Sequence, residues 1–434
     1  MVDGETNRRF ASIRRWTAPA IVLLCLCACS AVSDPSDPSD VRPSDVRPSD
    51  PSDVRPSDPS DVRPSDVRPS DPFPPDPASE NVELALAIAQ RQMSVHPAPE
   101  LAWNWEEAVL MAGFAELYRV TQAPELLEYM QAWMDHHIQA GYKIQSSDTC
   151  APAATAAFLF GITQDVEYRV VVEDALSYLA EVALRTPEGG ISHLGTFPVV
   201  TLWIDSLFMF GNVLLEWAAA QEGLPAAAGS EESAASLDLF GSQYQVFALK
   251  LQDDSGFFTH ASDWVVEQTP GAFWARGNGW VVAAGYNYLR QRTLRGQEDP
   301  EVRESLSKLV AAVLSAQDPS TGLWWTMLSH PGKYYLETSA GALFAYGIAR
   351  AWRYGLAGDE ALPIVSLALD GIRSRIGKDE EGRPLVTGIS GPTSADKLEE
   401  YGKVLLADDL PYGVGAVIMA LVETSGLPLE GAGM

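Results

Sequence analysis

The sequence predicts an all-α fold, an (α/α)6 barrel of six helical hairpins, standing behind a disordered linker rich in Pro, Asp and Ser. About twelve segments place apolar residues at three- and four-residue spacing, whereas alternating runs bounded by hairpin signals are scarce. No second low-complexity linker divides the roughly 355 residues of the globular part, a length that favours one closed architecture. In a closed ring each hairpin buries its apolar face on its neighbours, and no capping unit is needed.

Residues 1–29 read as a lipoprotein-type signal peptide. Arg8, Arg9, Arg14 and Arg15 precede an apolar run from Ala18 to Ala28 that is too short for an ordinary transmembrane helix. The run ends in Leu26-Cys27-Ala28-Cys29-Ser30, which resembles a bacterial lipobox and makes Cys29 the expected lipidation site, with simple secretion as the alternative. The expected location is therefore outside the cytoplasm, on the cell envelope, held to a membrane by a lipid anchor only.

Residues 30–78 repeat Asp-Pro-Ser-Asp and Asp-Val-Arg-Pro-Ser, with eleven Asp, five Arg and thirteen Pro. Such a tract buries too little apolar surface to offset its ordering entropy, so a proline-stiffened stalk is expected.

The barrel is expected over 79–434. Its helices begin with Val82-Leu84-Ala85-Ile88-Ala89, Ala108-Met111-Ala112-Ala115-Leu117 and Leu126-Leu127-Met130-Trp133-Met134. They continue at about 151–160, 166–184, 203–219, 233–251, 279–292, 300–316, 338–353, 361–376 and 413–424. Arg383-Pro384-Leu385-Val386 is one of the few strand candidates.

A net charge of −28 argues against nucleic acid as a partner, because that partner requires a basic footprint. An anionic substrate would need a locally basic site. With the leader removed and Cys29 acylated, Cys150 is the one remaining thiol, so no disulfide framework is available. Four Cys and six His show no zinc-ligand spacing, and no metal is expected.

The chemistry concentrates where charged groups stand among aromatics: Leu202-Trp203-Ile204-Asp205-Ser206-Leu207-Phe208-Met209 and Phe273-Trp274-Ala275-Arg276-Gly277-Asn278-Gly279-Trp280. Both read as site wall, with rings to stack on a sugar and an ionisable group to act on it. Asp205 is either a first-turn helix acid or a carboxyl whose pKa is raised by burial and a neighbouring acid. Asp148, in Ser147-Asp148-Thr149, is the candidate neighbour or another cap. His193 and His260 each close a Gly-containing loop, and either contacts substrate or serves as a structural hydrogen-bonder. Arg276 is read as a carboxylate holder between Trp274 and Trp280, or as a salt bridge beneath them. Gly277 and Gly279 allow close backbone approach or mark a tight turn.

Four motifs together resemble glycoside hydrolase families 105 and 88, the unsaturated rhamnogalacturonyl and glucuronyl hydrolases: Trp203-Ile-Asp205-Ser-Leu-Phe-Met209, Trp274-Ala-Arg276-Gly-Asn-Gly-Trp280, Tyr335-Leu-Glu337-Thr-Ser-Ala340 and Leu410-Pro-Tyr-Gly-Val-Gly-Ala416. The resemblance covers about residues 80–425. It implies removal of a 4,5-unsaturated uronic acid from the non-reducing end of polysaccharide-lyase products by hydration of the C4–C5 enol ether, with no cofactor. The catalytic pair would be Asp205, as acid and then base, and Asp148, which orients the sugar and raises the pKa of Asp205. Trp203, His193, His260, Arg276 and Trp280 would bind the unsaturated acidic oligosaccharide. The segment Asp148-Thr-Cys-Ala-Pro-Ala, the stretch 221–231 and the long stalk depart from the family form. Two rivals stand beside this reading: an inverting glycosidase using Asp148 and Asp205, and a surface lipoprotein that captures acidic glycans without turnover.

Overall fold

The computed structural model describes residues 73–221 and 229–429. Within them, six outer helices each precede an inner one. In chain order these pairs are α1 (Glu80–Val95) and α2 (Trp105–Thr121), α3 (Pro124–Ala140) and α5 (Ala153–Thr163), with the short α4 (Ser147–Cys150) between them, and α6 (Val166–Ser177) and α7 (Ser206–Gln221). They continue as α8 (Gly229–Leu251) and α9 (Ala275–Leu294), α10 (Pro300–Ser315) and α11 (Thr338–Arg353), and α12 (Ala361–Arg373) and α14 (Pro411–Thr424), with the short α13 (Leu398–Tyr401) between the last two. Helix α2 packs on α5, α5 on α7, α7 on α9, α9 on α11, α11 on α14, and α14 back on α2. The ring closes, as the periodicity predicts.

Burial separates the layers. Outer α12 buries one stripe, Ala361, Val365, Ala368, Leu369 and Ile372, whereas inner α14 is buried on every side from Tyr412 to Thr424. The seam between first and last hairpins needs glycine: a Cβ on Gly113 would stand 2.7 Å from the Gly415 carbonyl oxygen. Prolines at the starts of α3, α10 and α14 sit where a missing N–H costs nothing.

The C-terminal ends of the inner helices form a charged floor. Arg350 donates to Glu423 at 2.9 Å and to Glu116 at 3.2 Å, and Arg353 donates to Glu423 at 2.9 Å. These pairs tie α2, α11 and α14 together, and each buried charge has a partner. Residues 73–78, expected in the linker, instead pack on this floor. The Phe73 ring lies 5.0 Å from Trp352, and the Asp76 N–H donates to Ser425 Oγ at 3.1 Å. The signal peptide, Cys29, the linker up to residue 72 and the stretch 222–228 lie outside the described residues. Among those described, no helix is long and apolar enough to cross a membrane.

Four two-stranded antiparallel pairs complete the fold: β1 (Leu202–Trp203) with β2 (Ala261–Ser262), β3 (Trp324–Trp325) with β4 (Leu336–Glu337), β5 (Ile376–Lys378) with β6 (Pro384–Val386), and β7 (Ile389–Ser390) with β8 (Leu406–Ala407). The strand candidate at 383–386 is β6. Several expected boundaries move, and α8 begins at Gly229 rather than 233. The helix at 166–184 stops at Ser177 and continues as a π-helical turn, Tyr178–Val182, and α9 begins at Ala275 rather than 279.

Candidate active site

All six inner helices start at the mouth opposite the charged floor, and a polar side chain sits at each start. Glu106 lies in the first turn of α2, Asp148 in α4 ahead of α5, and Asp205 directly before α7. Arg276 is the second residue of α9, Glu337 caps α11, and Tyr412 is the second residue of α14. The positive ends of the inner-helix dipoles converge on this mouth within an acidic protein.

Asp205 and Asp148 each face a histidine. Oδ2 of Asp205 lies 3.3 Å from Nε2 of His260, and Oδ1 of Asp148 lies 3.8 Å from Nε2 of His193. A hydroxyl holds the far nitrogen of each ring: Tyr401 Oη is 2.9 Å from Nδ1 of His260, and Ser206 Oγ is 3.0 Å from Nδ1 of His193. Trp203 stands between the rings, stacked on His193 at 4.8 Å and edge-on to His260 at 5.0 Å, while Trp264 meets it edge-on at 5.2 Å. The buried Trp203 Nε1 has no hydrogen-bond partner and is an unspent donor beside the acids.

Neither acid is consumed as a helix cap. α4 is capped by Ser146 and Thr149, which leaves Asp148 with 33% of its side chain exposed, against 15% for Asp205. Burial pushes the Asp148 carboxyl up; the His193 ring opposes this and the Asp205 charge adds to it. Burial also acts upward on Asp205, but the His260 ring and then His193 outweigh it and hold that carboxyl below its ordinary value. This reverses the expected order, in which Asp205 carries the raised pKa. The reason is the His260 ring packed against it, which sequence proximity does not reveal. Burial lowers the His260 pKa, so its imidazole is neutral near pH 7.

The second aromatic segment is not a wall. Arg276 is 1% exposed, with donors on the carbonyls of Ser390 (2.7 Å) and Gly391 (2.8 Å) and on Thr393 Oγ1 (3.1 Å). Its guanidinium lies between the Trp274 and Tyr412 rings, 4.7 and 4.9 Å from their centroids, and 3.9 Å from Glu337. The reading of Arg276 as a uronate holder thus gives way to the alternative, a buried charge beneath the mouth that anchors the 390–393 segment. Trp280 has no exposed surface and packs on Phe208 at 4.8 Å, so it is core rather than sugar platform. Both follow from the earlier start of α9, which turns these side chains inward. Gly277 likewise serves packing, since a Cβ there would stand 2.6 Å from Ile204 Cδ1. His260 has no exposed surface either and acts on Asp205 from behind.

Several site residues escaped the sequence reading. Glu106 is half-buried; burial raises its pKa, with Arg276 opposing and Asp148 adding. Trp103 donates from Nε1 to the Thr149 carbonyl at 2.9 Å, and Trp105 packs on Tyr412 at 4.7 Å. Trp103-Asn104-Trp105-Glu106 repeats the signature of an acid among aromatics and was legible on that basis. Glu337, known beforehand only as part of a motif, is buried and accepts from the N–H groups of Ser339 (3.1 Å), Ala340 (2.6 Å) and Ser390 (3.0 Å). Tyr401 and Ser206 carried no local signal.

A closed barrel of paired helices gathers carboxyls and aromatics at one mouth, the setting of a ligand site. The model of Glycosyl Hydrolase Family 88 matches residues 84–427, and the chain belongs to that family as a glycoside hydrolase. It is 27% identical over 339 residues to the unsaturated rhamnogalacturonyl hydrolase YesR of Bacillus subtilis (strain 168), spanning 75% of this chain and 90% of the relative. It is 25% identical over 228 residues to an unsaturated 3S-rhamnoglycuronyl hydrolase of Alteromonas sp. (strain LOR), spanning 51% of this chain and 50% of that one. The fold is shared with a C. acetobutylicum glycoside hydrolase from family 105 (TM-score 0.66, 20% identity, 78% of this chain and 98% of the other). It is shared too with the unsaturated glucuronyl hydrolase of Bacillus sp. GL1 (TM-score 0.61, 15% identity, 79% and 95%).

Proposed function

We propose that this hydrolase removes a 4,5-unsaturated uronic acid from the non-reducing end of oligosaccharides left by polysaccharide lyases, hydrating the C4–C5 enol ether. The observation that carries the reading is the Asp205–His260 contact at 3.3 Å, which places one acid against a neutral ring at the mouth. Asp205 protonates C4 and then, as a carboxylate, takes a proton from the water that adds at C5. The resulting hemiketal opens and expels the neighbouring sugar. One carboxyl suffices because the two proton transfers are successive. The resting Asp205 is ionised, so its proton is taken up as substrate arrives: a uronate carboxylate adds like charge and excludes water, and both raise a carboxyl pKa. The dipoles of the inner helices, rather than a free Arg276, favour the anion.

The direct test follows the ultraviolet absorbance of the conjugated double bond in unsaturated uronyl disaccharides. Its loss on incubation is expected, while hydrolysis of the saturated disaccharide alone would overturn the proposal. A second reading, an inverting glycosidase on the same barrel, draws on the opposite pKa directions of Asp148 and Asp205, which suit an acid and a base. The same pair of disaccharides decides between them.

Export and lipidation at Cys29 belong to the same proposal. Phe73 and Asp76 fasten the first described residues to the floor of the barrel. Metabolic labelling with a fatty acid, lost in Cys29→Ser, is the test.

A further inference from the structure

We infer that Tyr401 is a positioning residue that fixes His260 as its Nε2–H tautomer, so that an N–H, not a lone pair, faces Asp205. The inference rests on donors and acceptors. The Tyr401 oxygen accepts the Asp396 N–H at 3.4 Å, and the one acceptor for its hydroxyl hydrogen among the described residues is Nδ1 of His260, at 2.9 Å. Were the ring protonated at Nδ1 instead, Tyr401 would receive two donors and leave its own hydrogen without an acceptor in a buried setting. The Nε2 lone pair would then face the Asp205 carboxylate at 3.3 Å, acceptor against acceptor. With Nε2 protonated, every group has a complement. Among the described residues, Nε2 and Oδ2 have no partner other than each other. The N–H therefore supports the carboxylate form of Asp205, the form that takes a proton from the water adding at C5.

The geometry is built to hold this arrangement. Tyr401 ends α13 and is 2% exposed; its ring packs with Ala272, Trp274, Met327 and Leu398. Trp274 also lies against His260, 4.3 Å between centroids. The titratable groups facing His260 are Asp205, His193, Arg276 and Tyr401. Of these, only Tyr401 reaches Nδ1.

The catalytic part of this inference rests on the proposed hydration, whereas the tautomer does not. The test uses the full chain with 15N-labelled histidine and long-range 1H–15N spectra, His260→Asn identifying the signal among six histidines. The wild type is expected to show His260 protonated at Nε2, and Tyr401→Phe, which keeps the packed ring, to show an Nδ1–H form or a mixture. A wild-type Nδ1–H signal, or an unchanged spectrum in Tyr401→Phe, overturns the inference whether or not the protein hydrates anything. On an unsaturated uronyl disaccharide, Tyr401→Phe is expected to lower kcat about tenfold with KM within about threefold, a fraction of what a positioned acid–base group contributes. An unchanged kcat in a folded variant overturns the catalytic part. If no variant turns over and the wild type is also inactive, the hydration proposal fails while the spectra still decide the tautomer.

Discussion

Nε2 of His260 lies 3.3 Å from Oδ2 of Asp205, and His260 has no exposed surface of its own. The histidine therefore acts on substrate through the acid, not beside it. This holds Asp205 ionised at rest and leaves Asp148 as the carboxyl that burial pushes up.

Asp205→Asn removes the group that gives and takes the proton. Its kcat is expected to fall by about 10³-fold or more with KM changed little, since the loss falls on the transition state. Loss of ultraviolet absorbance under saturating substrate measures this.

Asp148 predicts a pH limb. Its raised pKa keeps it neutral below that value and charged above, and the charged form repels an anionic sugar at the mouth. In the wild type, kcat/KM should decline as pH rises through this ionisation. Asp148→Asn should flatten the decline, and a pH profile of both proteins checks it.

Arg276→Lys separates the buried role from a substrate role. Three hydrogen bonds to the 390–393 segment need the guanidinium fork, so lysine should lower the melting temperature and cost about 2 to 4 kcal/mol of stability. A substrate contact alone would raise KM and leave the melting temperature unchanged.

Trp280→Ala opens a cavity beside Phe208 and is expected to destabilise the barrel by about 3 to 5 kcal/mol. Trp280→Phe should recover most of that stability with a near-normal KM. Urea denaturation with steady-state kinetics reads both.

Glu423→Ala, remote from the mouth, removes the carboxylate that Arg350 and Arg353 share, leaving Arg350 with Glu116, and should cost about 3 to 5 kcal/mol in urea unfolding. Under conditions where the variant is folded, KM should match the wild type.

The ring was legible in the sequence. Helical periodicity depends on neighbours three and four positions away, so stripes such as Val365–Ala368–Leu369–Ile372 are visible without any knowledge of what they pack against. Asp205 and Trp203 were legible for a similar reason, since an acid among aromatics is a local anomaly. Arg276 and Trp280 show the limit of that signal. In the one-dimensional pattern a helix start that packs tightly through Gly277 looks like a ligand-facing loop, and only Ile204 and Phe208 pressing on it from another hairpin turn it into core. Tyr401 was beyond reach, because its hydroxyl meets His260 across 141 residues of chain. Tertiary structure alone decided the protonation order of Asp148 and Asp205, since a pKa responds to charge and water within a few ångströms and sequence separation says little about either.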